Sequence, residues 1–365
     1  MDKLQAPGHT ALLELIEHLP KDKMSSSAHS PSAPHHAPVG NPFIDALPIG
    51  AFAMVMGLSG LALVWGKLAN LGWMPGLAEP LAMAFAVIDG LVFVLLLILY
   101  IKKWAGNHQR VYEEWQHPVK SSFFAAVSVS FALLATVALG AFAPLALPLW
   151  AIGAVLQVIA MTMVLNAWIH RESLQPPHAT PVWFIPAVAN VILPLAGVRL
   201  GFVEISWWFF AVGILFWLVL LTVVLQRLLF VQPPLPERLV PTLCILLAPP
   251  AVGFLSWLQL SGQHPGSVQL DAMGHILFGI AVFFALFLFT QVHRFLRLSF
   301  YVSWWAFSFP SAAFTNAALV YAQFEPGAFN HAMAVAMVIF STLLIVWLLL
   351  RTVVAVARNE PQLTD

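Results

Sequence analysis

Ten apolar runs, each close to the roughly 20 residues a helix needs to cross a bilayer, follow one another from residue 43 onward. Their approximate limits are 43–67, 79–101, 120–143, 146–168, 181–199, 204–229, 240–262, 268–292, 299–324 and 327–351. A chain so patterned has few choices, because in hydrocarbon every backbone N–H and C=O must be paired within the protein. Composition agrees: 60% of residues are hydrophobic and 9% charged, against roughly 45–50% and 25% in soluble domains. The expected class is an all-α integral membrane protein with ten transmembrane helices and a lipid bilayer as its solvent.

Lysine and arginine orient the runs. Fourteen of the 16 fall in the N-terminal region, in alternate connections and in the C-terminal region; Lys67 and Arg199 fall opposite. By the positive-inside rule both termini are cytoplasmic, in a multi-pass protein of the cell (inner) membrane. Three regions are expected: a disordered cytoplasmic tail over 1–41, a membrane domain over 42–355, and a short cytoplasmic tail over 356–365. The first tail holds a brief amphipathic stretch, 10–18, and a Pro/Ser/His-rich tract, 25–38, that cannot bury a core. His29, His35 and His36 in that tract are read as solvated rather than metal-binding. No charged segment followed by an apolar stretch and a small-residue cleavage site marks a signal peptide.

Proline sets a second alternation. The odd runs carry it in or near their apolar stretch, as Pro48, Pro186 with Pro194, Pro249 with Pro250, and Pro310, whereas the even runs are read as regular. The third run has Phe123-Phe124-Ala125-Ala126 in its place. In 299–324, Pro310 removes a donor from the Ala306 carbonyl, and such a break must sit in protein or face a water-filled path. The unit is therefore a helical hairpin with a broken first helix and a straight second one, repeated five times. Five proline-kinked helices inside and five straight ones outside would line a central pore.

His117-Pro118-Val119, Trp183-Phe184-Ile185-Pro186 with Pro194-Leu195-Ala196-Gly197, Ala248-Pro249-Pro250-Ala251, and Trp304-Trp305-Ala306-Phe307-Ser308-Phe309-Pro310 occur in order at the expected runs. Together they resemble the family of bacterial TehA and the plant slow-type (SLAC) anion channels, over roughly residues 42–355. The resemblance implies a ten-helix, five-hairpin pore, commonly homotrimeric, for small anions such as chloride or nitrate. It further implies a phenylalanine on the ninth helix that plugs the pore; Phe309 matches best, and Phe307 is the fallback. Other relatives are described as tellurite-resistance proteins or as dicarboxylate or sulfite transporters.

The odd runs offer hydroxyl and amide hydrogens to an anion at Ser59, Ser128, Asn190, Thr242, Ser308, Ser311, Thr315 and Asn316, and no Asp or Glu lies deep in them. A pore without strong fixed charge binds weakly, which suits flux; the same groups can instead bond neighbouring helices. Lys120, Arg294 and Arg297 stand where a cytoplasmic mouth would concentrate anions. Asp89 and His275 fall in even runs, and ionisable groups at membrane depth are functional candidates by default. They define the alternative, a proton-coupled C4-dicarboxylate or sulfite transporter. The single cysteine, Cys244, excludes an internal disulfide and a multi-cysteine metal site. No phosphate loop, nucleophile elbow or metalloprotease motif supports an enzyme, no cofactor is implied, and the zero net charge gives no case for nucleic acid.

Overall fold

The computed structural model describes residues 42–266, 268–358 and 360. The expectations for the 1–41 tail, its histidines included, lie outside the described residues, as does most of 356–365. In chain order the long helices are α1 (Ile49–Asn70), α2 (Ala78–Gly106), α3 (Lys120–Ala141), α4 (Ala143–His170), α5 (Pro181–Gly197), α6 (Val203–Phe230), α7 (Glu237–Leu260), α8 (Ala272–Thr290), α9 (Ser308–Phe324) and α10 (Ala328–Ala357). Among the described residues, eight of these, all but α5 and α9, are long and apolar enough to cross a membrane. An exposed helix over His108–Gln116, unanticipated by hydropathy, occupies the connection from α2 to α3. Helix α10 continues to Ala357, past the expected end of the membrane domain at residue 355.

Each odd-numbered helix is entered through a 3₁₀ segment. Ile49–Phe52 leads into Ala53, Lys120–Phe124 into Ala125, Pro181–Trp183 into Phe184, Glu237–Leu247 into Ala248, and Val302–Phe307 into Ser308. The break expected in each odd run takes the form of a 3₁₀-to-α transition, which in α7 falls midway along the span. Pro186, Pro250 and Pro310 are each the third residue of the α segment, Pro249 the second, and Pro48 directly precedes its 3₁₀ turn. N–H groups in a first turn have no intrahelical acceptor, so proline there loses no bond and marks where α geometry begins. Helix α3 makes the same transition without proline. Conversely Pro148 lies inside α4, which stays continuous, so the even helices are not free of proline as read. Among the described residues only Pro194 interrupts a helix, dividing α5 after Leu193.

The odd helices pack side by side in a closed ring, α1 to α3 to α5 to α7 to α9 and back to α1. Each even helix lies against the odd helix before it and the one after it. Burial separates the two layers: 72% of the apolar window is buried in α1 and α3 and 89% in α7, against 22–33% in α2, α4, α6, α8 and α10. Leu91, Val155, Trp208, Phe283 and Leu343 are among the large apolar side chains the outer layer leaves exposed. A surface of that kind suits lipid rather than water.

Breaks in the inner helices find their hydrogen bonds in protein. Around the division of α5, the Pro186 carbonyl accepts from Gln157 Nε2 at 2.7 Å and Asn190 Nδ2 at 2.9 Å, the Val191 carbonyl from Ser256, and the Leu193 carbonyl from Trp150 Nε1 at 3.0 Å. At the entry to α9, Ser308 Oγ donates to the Trp305 carbonyl at 2.6 Å and Ser311 Oγ to that of Phe307. The side chains thus supply what the irregular backbone does not, as an apolar interior requires.

Candidate functional site: two cavities meeting at Phe309

Two cavities open among the inner helices. The first, of about 490 Å³, is lined by the 3₁₀ entries of the ring, with Pro48, Lys120, Thr242 and Val302 among its walls. The second, of about 530 Å³, lies at the opposite ends of the same helices, with Lys67, Thr136, Leu195 and Gln259 among its walls. Phe309 lines both, and among the described residues it alone does. Its position follows from α9: it is the second residue after the 3₁₀ segment, 4% exposed, with Pro310 beside it on the first cavity.

Charge divides between the cavities as it divides along the chain. Lys120, Arg227 and Arg238 line the first, together with His117 and His178, and no carboxylate lines it among the described residues. Lys67 and Arg199, the two cations that fall opposite the others in sequence, line the second with Glu79 and His264. Arg227 is buried and donates to the carbonyls of Pro177 and Pro233 at 3.3 and 3.1 Å, so it also ties two loops. His117 Nδ1 accepts from the backbone N–H groups of Val119 and Lys120 at 3.1 and 3.2 Å. Burial, and then the positive charges of Lys120, His178, Arg238 and Arg171, hold this imidazole below its ordinary pKa.

Of the residues singled out in the sequence, Phe309, Pro310, Pro48 and Lys120 meet at the first cavity. Of the hydroxyl and amide donors, Thr242 lines the first cavity and Asn316 the second; Ser59, Ser128, Asn190, Ser308, Ser311 and Thr315, with Pro186, Pro194, Pro249 and Pro250, line neither. Ser128 Oγ donates to Gln157 Oε1 at 2.7 Å, which with the Gln157–Pro186 bond joins α3, α4 and α5. Asn190, Ser308 and Ser311 bond carbonyls of their own helix, and Thr315 reaches the Ser311 carbonyl at 2.7 Å and that of Met337 on α10 at 3.1 Å. Pro186, Pro194, Pro249 and Pro250 are buried in helix contacts. A hydroxyl in an apolar bundle takes the nearest carbonyl, usually one turn back, and the bundle claims most of the polar groups this way. Phe307 also turns from the path: its ring meets Phe295 edge-on at 4.9 Å and Trp304 at 5.3 Å. Arg294 and Arg297 are exposed and line neither cavity.

The proposed proton-coupling pair is likewise apart from the cavities. Asp89 is buried between α2 and α1, where one carboxylate oxygen accepts from Ser59 and Oδ1 has no partner. His275 is in the first turn of α8, exposed, with Nε2 3.9 Å from Glu325 and its ring edge-on to Tyr321. Sequence reasoning passed over His117, His178 and Arg238 as cavity residues, although Arg238 was already counted among the cytoplasmic-side charges.

Comparison with known proteins agrees with this architecture. Residues 46–353 match the family model described as SLAC1, voltage-dependent anion channel. The chain is 26% identical to the S-type anion channel SLAH3 of Arabidopsis thaliana over 86% of its own length and 49% of the relative's, and 26% identical to the guard cell S-type anion channel SLAC1 of the same plant over 85% and 56%. It thus spans about half the length of these plant relatives. With the tellurite resistance protein TehA homolog of Haemophilus influenzae it shares 26% identity over 89% of its length and 95% of the relative's. A multi-pass membrane protein whose family match covers nearly the whole described chain, this chain belongs to the SLAC1, voltage-dependent anion channel, family.

Proposed function

We propose that the protein is a passive, gated channel for small monovalent anions such as chloride and nitrate, and that Phe309 is its plug. The observation that carries this reading is that Phe309 lines both cavities, so the ring of one side chain divides a path running along the inner helices. A narrow apolar constriction closes such a path sterically and by dewetting. On one side of the ring the ionic groups are cationic or imidazole, which attracts anions without a deep well to trap them.

The closed ring of odd helices and the pairing of each with the following even helix support ten crossings arranged as five hairpins, with α5 and α9 crossing as short helices extended by their 3₁₀ entries. The distribution of Lys and Arg supports cytoplasmic termini and a cytoplasmic first cavity. A homotrimer follows from the family resemblance. The proton-coupled alternative is drawn on Asp89 and His275, which line neither cavity, although the imidazoles of His117 and His178 line the first. Purified protein in liposomes tests the proposal: anion flux should follow an imposed voltage with or without a pH gradient. Flux that requires the pH gradient would replace the channel with a coupled transporter.

A further inference from the structure

Lys67, half-buried, comes from the last turn of α1 and Arg199, exposed, from just beyond α5, yet both line the second cavity. Like charges brought together raise each other's energy unless an anion lies between them. Among the described residues neither head group has a hydrogen-bond or ion-pair partner, and the half-buried Gln259 amide in the same wall is also unpartnered. Glu79 is the one carboxylate lining this cavity among the described residues and pairs with neither cation. The donors are of unlike geometry: an ammonium is a point charge, whereas a guanidinium is a planar fork that matches two oxygens of a planar anion.

We propose that Lys67, Arg199 and Gln259 form a capture site for planar oxyanions, nitrate or a carboxylate in preference to chloride, on the far side of Phe309 from Lys120. The inference rests on the channel reading and adds to it a sided preference: anions arriving from the second cavity are sorted before they reach the plug. Lys67 and Arg199 supply the attraction, and the Arg199 fork with the Gln259 amide supplies the preference for oxygen over halide.

The test uses full-length protein in planar bilayers with chloride or nitrate varied on one side at a time. Arg199→Lys keeps the charge and removes the fork, so it should abolish most of the nitrate preference measured from the Arg199 side while leaving chloride half-saturation within about twofold. Lys67→Gln should raise half-saturation for both anions from that side, roughly three- to tenfold, and leave the Lys120 side unchanged; Lys120→Gln should do the reverse. Conduction in which Arg199→Gln and Lys67→Gln leave half-saturation and preference unchanged from the Arg199 side overturns the capture site while the channel stands. If the parent and Phe309→Ala both conduct nothing, the channel reading fails and binding decides the site. Chloride-35 line broadening, with nitrate as competitor, should then be weaker in the double Lys67→Gln, Arg199→Gln protein than in the parent, and equal broadening would refute it.

Discussion

Gly60 of α1 faces the ring of Phe309 across the contact with α9: a Cβ added at Gly60 would come 3.6 Å from that ring and 2.7 Å from Cβ of Ala312. One turn earlier, a Cβ at Gly57 would meet Ser308 at 2.2 Å from Oγ and 2.5 Å from Cβ. Neither glycine is needed for its backbone angles. Both are needed because α9, including the turn that aims Phe309, lies directly on α1. Gly60→Ala and Gly57→Ala should therefore each force the helices apart, at about 1–3 kcal/mol for an overpacked contact. Thermal unfolding in detergent would register the loss, and Ala312→Gly should restore much of it in Gly60→Ala but not in Gly57→Ala.

Gating should divide Phe307, which ends the 3₁₀ entry, from Phe309, the second residue of α9. If the Phe309 ring plugs the path between the two cavities, Phe309→Ala should forgo much of the roughly 3–5 kcal/mol usual for Phe→Ala and raise basal anion conductance. Phe309→Leu should fall between. Phe307, packed on Phe295 and Trp304, should lose stability on truncation and gain no conductance. Single-channel or liposome currents alongside thermal stability separate the two, and a Phe309→Ala protein that conducts no better than the parent would end the plug hypothesis.

Coupling is expected to be absent. Asp89→Asn keeps the shape of a group already bonded to Ser59, and His275→Gln alters an exposed helix end. Both variants should retain most of the anion flux, whereas loss of transport in folded protein would favour the proton-coupled transporter.

Cytoplasmic pH should act through His117. Its folded pKa is depressed below the ordinary value of about 6.5 by burial and by Lys120, His178, Arg238 and Arg171. The folded protein therefore binds this proton less readily than the unfolded chain does. The contribution to stability is present above pH of about 6.5 and declines as pH falls through that value toward the folded pKa. Protonation below the folded pKa adds a positive charge to the first cavity, so anion current should rise on acidification of that side, and His117→Gln should flatten the response. A His117→Gln protein with the parent's pH profile would exclude His117 as the titrating group.

Topology can be read with reporter fusions. Fusions after Asn107, Phe142, Gln232 and Pro265 should report inside, outside, inside and outside, each site lying in a connection between the long helices. An inversion anywhere in that series would break the five-hairpin arrangement.

Hydropathy, the sidedness of Lys and Arg, and the prolines in the odd runs were enough to read an all-α membrane protein and to separate its inner helices from its outer ones, because burial in lipid or in protein acts on whole segments and leaves a segment-long signature. It was the family resemblance that singled out Phe309, whose neighbour Pro310 marks a helix start. What the sequence could not decide was which small polar groups face the path. Ser128, Asn190, Ser311 and Thr315 look alike as hydroxyl and amide donors on inner helices, yet each is bonded to a carbonyl of its own or a neighbouring helix. That choice depends on rotation about each helix axis and on partners such as Gln157, 29 residues from both Ser128 and Pro186. Nor could linear order put Lys67 and Arg199 on one cavity or leave Arg294 and Arg297 off both. Those placements depend on the closure of the inner helices into a ring, where residues at the same end of different helices share a cavity whatever their separation along the chain.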